Sequence, residues 1–112
     1  MPTTPANVLT EETLAEITRR LVATLSPRAI YLFGSHAYGA PTGNSDIDLM
    51  IVAADAAEFT VDYLKRAHAC LQGSFLPVEL HFRSESKFLR RSAVGTSLEH
   101  EVTTKGRALY AA

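Results

Sequence analysis

An α/β fold in a single domain is what this sequence predicts, and three observations predict it. Segments with helical hydrophobic spacing alternate with at least three short runs that read as strands. The chain has 112 residues, 46% hydrophobic and 21% charged, the balance of an ordinary globular domain with enough material for a core. No repeat, linker or low-complexity tract divides it.

The elements follow in order. Thr10 before Glu11 and Glu12 reads as a helix N-cap with acids in the first turn. Leu14, Ile17, Leu21 and Leu25 recur at helical spacing. Pro27 then closes the segment by pushing Ser26 towards extended backbone. Ala29 to Phe33 is a continuous apolar run and reads as a buried strand. Residues 34 to 45 have the glycine, proline, asparagine and serine content of a loop, with room for one helical turn. Ile47 to Val52 is a second strand. A helix lies within Asp55 to Gln72, with Phe59, Leu64, Ala67 and Leu71 along one side and Gly73 at its end. Pro77 to Phe82 alternates, with Val78, Leu80 and Phe82 on one face and Glu79 and His81 on the other. Lys87 to Ser92 reads as a short basic helix. Thr96 with Glu99 makes a capping box that opens a helix ending at Gly106. Arg107 to Tyr110 is a last short strand.

Composition narrows the partners. A net charge of −1 gives no stripe for a nucleic-acid backbone, so direct nucleic-acid binding is not expected. No apolar run is long enough for a bilayer, and MPTTPANVLTEE lacks the basic start and apolar segment of a secretory signal. Cys70 is the only cysteine, which excludes an internal disulfide and fits a reducing compartment. The expected location is the cytoplasm, away from membranes.

The chemistry gathers in LFGSHAYGAPTGNSDIDLMIV, Leu32 to Val52. Side chains two apart on a strand share a face, so Asp46 and Asp48 point one way while Ile47, Leu49 and Ile51 point into the core. Two adjacent carboxylates repel, and burying them without a partner is expensive. A divalent cation such as Mg²⁺ or Mn²⁺ resolves the conflict, because hard cations take carboxylate, water and phosphate oxygens. Upstream, Gly34-Ser35 follows directly on a strand. Glycine lets a phosphate approach the backbone, and the serine hydroxyl can donate to it. The Gly-Lys signature of a Walker A loop is absent. Strand, Gly-Ser, ten residues, Asp-x-Asp and strand together describe a nucleoside-triphosphate site.

This GS-x10-DxD arrangement resembles the minimal nucleotidyltransferases (MNT), small members of the DNA polymerase β-like nucleotidyltransferase superfamily. The likeness runs through the strand ending in FGS, SDIDLMIV, the middle helix, the third strand and the closing TKGRALY. It implies one nucleotidyltransferase domain over residues 1–112, with a mixed β-sheet flanked by helices. It also implies that Gly34, Ser35 and Ser45 hold the nucleotide. Asp46, Asp48 and Glu79 would bind two ions, Mg²⁺ or Mn²⁺, and carry catalysis with ATP as donor. Glu79 is the candidate third carboxylate because it lies on the polar face of PVELHF. The sequence departs from relatives in two places: Glu79 stands where aspartate is commoner, and His36, Ala37 and Tyr38 follow Gly-Ser where basic residues are frequent.

Small-molecule nucleotidyltransferases carry a second, acceptor-holding domain for which this length leaves no room. The resemblance therefore implies an antitoxin paired with a HEPN-domain ribonuclease toxin, working by AMPylation of a tyrosine hydroxyl on that toxin. Two alternatives stand beside it. One is a catalytically weak or inactive binding antitoxin that neutralises its partner by contact. The other is an aminoglycoside-type nucleotidyltransferase that builds its acceptor cleft as a homo-oligomer. His36, His68, His81 and His100 show no paired metal-ligand spacing, so no zinc site is expected. His36 and His81 are candidates to touch phosphate or base, while Tyr38, Tyr63 and Tyr110 show no constellation.

Overall fold

The structure is a computed structural model that describes residues 9–39, 46–73 and 77–112. Ser45, a candidate nucleotide ligand, lies outside the described residues. Among the described residues, five helices and four strands run α1 (Glu11–Leu25), β1 (Ala29–Phe33), α2 (Ser35–Tyr38), β2 (Ile47–Ala53), α3 (Val61–Ala69), β3 (Val78–Ser84), α4 (Glu85–Ser92), α5 (Leu98–Lys105) and β4 (Arg107–Ala111). The strands form one sheet in the order β3-β2-β1-β4. β1 is antiparallel to β2 and β4, whereas β2 and β3 run parallel across the α3 crossover. The expected mixed sheet flanked by helices is the fold observed.

Two cores sandwich the sheet. On one side Leu14, Ile17 and Leu21 of α1 pack with Ile30, Leu32, Ile47, Leu49 and Ile51, and Val78, Leu80 and Phe82 join from β3. On the other, Phe33, Met50 and Val52 meet Phe88 of α4 and Val102 of α5. β2 therefore buries residues on both faces, as an internal strand covered by helices must.

Thr10 caps α1 as the sequence predicts, its hydroxyl accepting the Thr13 N–H at 3.1 Å. Four local expectations need correction. Ser26 does not end α1 in extended backbone: it takes the left-handed region (φ 47°, ψ 55°) while its N–H still donates to the Val22 carbonyl. Phe59 is not on α3. The Thr60 hydroxyl accepts the Tyr63 N–H, so the helix starts after Phe59, and Tyr63 is the buried aromatic instead. α4 begins two residues earlier than predicted, because Asp55, distant in sequence, accepts the Ser86 N–H at 2.8 Å and pairs with its hydroxyl. α5 is capped by Ser97 rather than Thr96, the Ser97 hydroxyl accepting the His100 N–H at 3.0 Å.

Candidate active site

Register builds the site. Phe33 pairs with Asp48, and Asp48 with Glu79. The next row on the same face is Tyr31, Met50 and His81, and the row after that is Ala29, Val52 and Arg83. Phe33, Met50 and Val52 are buried against α4 and α5. The row ends at Asp48 and Glu79 open to solvent: the Asp48 side chain is 23% exposed and Glu79 57%.

Gly34 closes β1 directly above Asp48. Its φ of 77° lies in the left-handed region, and a Cβ there would stand 2.5 Å from Asp48 Oδ2. Only glycine satisfies both demands. The same residue thus brings the Gly-Ser turn into contact with a carboxylate, and Ser35 opens α2 beside it. At the far end of α2, Tyr38 donates its hydroxyl to Glu101 Oε2 of α5 at 2.6 Å, a partner the sequence does not announce. Burial and this bond to a carboxylate raise the Tyr38 pKa above its usual value.

Asp48, Glu79 and His81 each offer a ligand atom, and the three atoms lie within 4.8 Å of one another. His81 Nε2 is 3.7 Å from both Asp48 Oδ1 and Glu79 Oε1. Burial and the neighbouring Glu79 carboxylate raise the Asp48 pKa above the usual aspartate range, and His81 opposes the shift. A cation among these donors would relieve that repulsion, so the donor set fits a divalent metal. Asp46, the other half of Asp-x-Asp, precedes β2, is exposed, and is not among the three donors. The site thus joins Gly34, Asp48 and Glu79 from the sequence-derived candidates and adds His81.

A supporting lattice stands behind the donors. Glu99, 2% exposed, accepts from Arg83 Nε at 2.9 Å and from Arg91 Nε at 3.3 Å. Burial works to raise its pKa, but its own backbone N–H, Arg83 and Arg91 outweigh that and hold it below the usual range. Arg83 is two residues past His81 on the same face of β3, so the pair ties the donor strand to α5. Tyr63 also has company: it meets Phe59 and Phe82 at ring-centroid distances of 5.4 and 5.8 Å.

A strand-flanked Gly-Ser turn seated on a carboxylate pair of a mixed sheet is the layout of a nucleotidyl-transfer domain. The chain belongs to the family described as polymerase beta, nucleotidyltransferase, whose model matches residues 15–112. Among solved structures it is similar to a toxin-antitoxin with AMP-PNP, at 28% identity and TM-score 0.61, over 87% of this chain and 72% of that one. It is also similar to a mutant of the toxin-antitoxin MntA-HpeT, at 27% identity and TM-score 0.57, over 93% of this chain and 75% of that one. These likenesses bear out the resemblance to the minimal nucleotidyltransferases. No curated protein matches the chain. Among the described residues, no helix is long and apolar enough to cross a membrane.

Proposed function

We propose that this chain is a metal-dependent antitoxin that transfers AMP from ATP to a tyrosine hydroxyl of a partner HEPN ribonuclease toxin. One observation supports the reading: Gly34, where a side chain would be driven into Asp48 Oδ2, seats the Gly-Ser turn against a carboxylate of the donor group. Two similar structures are toxin-antitoxins, one of them with AMP-PNP, which supports a toxin as partner and an adenine nucleotide as ligand.

In this reading Gly34 and Ser35 meet the triphosphate through backbone N–H groups and a hydroxyl, with Ser45 as a further nucleotide ligand. Asp46, Asp48 and Glu79 hold two Mg²⁺ or Mn²⁺ ions. When bound, such ions neutralise phosphate charge and lower the pKa of an acceptor hydroxyl. The acceptor oxygen attacks the α-phosphorus held at the Gly34-Ser35 turn, its proton passes to the carboxylates or to solvent, and the bond to the β-phosphate breaks to release pyrophosphate. Positioning of this kind is a large share of phosphoryl-transfer catalysis.

Intact-mass spectrometry of a HEPN partner incubated with this protein, ATP and Mg²⁺ tests the proposal. The expected result is one or more added AMP units, absent with the Asp46→Ala/Asp48→Ala variant. A silenced toxin of unchanged mass would instead establish an antitoxin that works by contact, the reading favoured by the more than half-exposed Glu79 and the position of Asp46 outside the donor group.

A further inference from the structure

His81 is the one member of the donor group that the carboxylate motif does not account for. Parallel pairing of β2 with β3 sets Asp48 opposite Glu79 and Met50 opposite His81, all on one face. The Phe33 ring stands against the imidazole edge to face at 5.0 Å and, with buried Met50 as its register neighbour, restricts where the ring can turn. Nε2 points between the two carboxylates. It is buried and has no hydrogen-bond partner.

The distances discriminate between the uses of such an atom. At 3.7 Å from Asp48 Oδ1 and from Glu79 Oε1, Nε2 is too far to hydrogen-bond either. Two ligands about 2.1 Å from one six-coordinate ion stand about 3.0 Å apart at the ideal right angle and about 3.6 Å apart where the angle opens to about 120°. The observed spacing is thus wider than that of atoms sharing a proton and within a few tenths of an ångström of an open pair sharing an ion. A buried nitrogen left without a partner is costly, and a cation held by all three groups satisfies it.

We infer that His81 Nε2 is a metal ligand beside Asp48 and Glu79, giving the site a nitrogen-and-two-carboxylate set that favours Mn²⁺ over Mg²⁺. Imidazole suits first-row transition cations, whereas Mg²⁺ demands oxygen ligands in near-ideal octahedral geometry and keeps its waters. The inference rests on the nucleotidyltransferase reading for the task of the ion, not for its binding, which is measured without nucleotide or partner.

The experiment is electron spin-echo envelope modulation of Mn²⁺ bound to the nucleotide-free protein, with calorimetric titration of Mn²⁺ and Mg²⁺ against wild type, His81→Gln and Asp48→Asn. A ¹⁴N modulation from directly bound imidazole is expected in wild type and lost in His81→Gln. The Mn²⁺ affinity of His81→Gln should fall at least about tenfold while that of Mg²⁺ changes little; Asp48→Asn should weaken both. Bound Mn²⁺ without ¹⁴N modulation, or an unchanged Mn²⁺-to-Mg²⁺ preference in His81→Gln, overturns the inference, as does failure of wild type to bind Mn²⁺. The wild-type spectrum decides even if His81→Gln folds poorly. AMP transfer without the nitrogen signal would keep the proposed function and discard the ligand, and the reverse pattern would keep the ligand and discard the transfer.

Discussion

The two faces of the sheet use the same strands for opposite ends. Towards α1 and α3, Ile30, Leu32, Ile47, Leu49 and Ile51 are all buried and all aliphatic. Towards α4 and α5, the strands grade along their length from the sealed Met50 and Val52 to the open carboxylates Asp48 and Glu79. The first face can be optimised for packing alone. The second gives up packing at its open end and accepts a carboxylate whose ionisation folding disfavours. Stability and chemistry are thus divided between faces that are separated by one residue of strand alternation.

Neighbouring residues of β2 break that contrast most sharply. Asp48→Asn should lower nucleotidyl transfer at least about a thousandfold, near 4 kcal/mol in the barrier, with melting at pH 7 unchanged or raised. The sign follows from linkage. The folded pKa of Asp48 is raised, so its charge subtracts stability once the pH exceeds the ordinary aspartate value, and asparagine removes that charge. Leu49→Ala, at a position fully buried on the opposite face, should do the reverse. Urea unfolding should show a loss of about 3 kcal/mol, while the folded fraction keeps its affinity for ATP and metal. If Asp48→Asn destabilised the protein as much as Leu49→Ala does, the division between faces would fail.

The buried Glu99 offers a second break, through pH. Its pKa is depressed, so the stability it lends is present above the ordinary glutamate range and is lost as pH falls through its folded value. Unfolding free energies of wild type and Glu99→Gln should therefore differ most near neutrality, by about 2–3 kcal/mol, and converge in acid. A constant gap down to acid pH would show that shape rather than charge is what Glu99 provides.

What the sequence discloses follows the same division. Strand β1, Ala29–Phe33, is observed with the bounds that its apolar run predicts, because the run itself is the cause of burial. Gly34 and Asp48 are legible because Gly-Ser and Asp-x-Asp are local patterns, and Glu79 because strand alternation sets it on the polar face of PVELHF. His81 is not legible by spacing rules as a ligand, since the group of three is completed only when parallel register brings Asp48 of β2 beside Glu79 and His81 of β3. Thr96 makes the better capping box on paper. Yet the Glu99 carboxylate it would need is taken by Arg83 and Arg91, and Ser97 becomes the cap. Phe59 has helical spacing to Tyr63 and is still outside α3, because one threonine hydroxyl sets where that helix starts.

Gly34→Ala sharpens the contrast at the edge of the site. The backbone at φ 77° and ψ −155° is open essentially to glycine alone and should by itself destabilise alanine by about 1–3 kcal/mol, and the clash with Asp48 Oδ2 should add to it. In an Asp48→Ala background the clash is gone and only the backbone penalty remains. A double-mutant cycle by urea unfolding should then show the pair destabilised by less than the sum of the single changes; additivity would mean that the carboxylate moves aside freely.

The smallest expected effect is at Tyr38. Tyr38→Phe removes one hydroxyl and its 2.6 Å bond to Glu101, a loss of about 0.5–1.5 kcal/mol at most where the pair is partly solvated. Glu99 and Glu101 are two residues apart on α5 and so point about 200° apart. One reaches Arg83 beside the donor strand and the other reaches the end of the Gly-Ser turn. α5 thereby links the two halves of the site. Loss of the Tyr38 bond should loosen the turn and not β3, weakening ATP binding by a few fold at most, on the order of 1 kcal/mol, while leaving Mn²⁺ affinity in the absence of nucleotide unchanged. Equal weakening of both would place Tyr38 in general support of the fold. Weakening of ATP alone would show that the helix behind the candidate site sets the two halves separately.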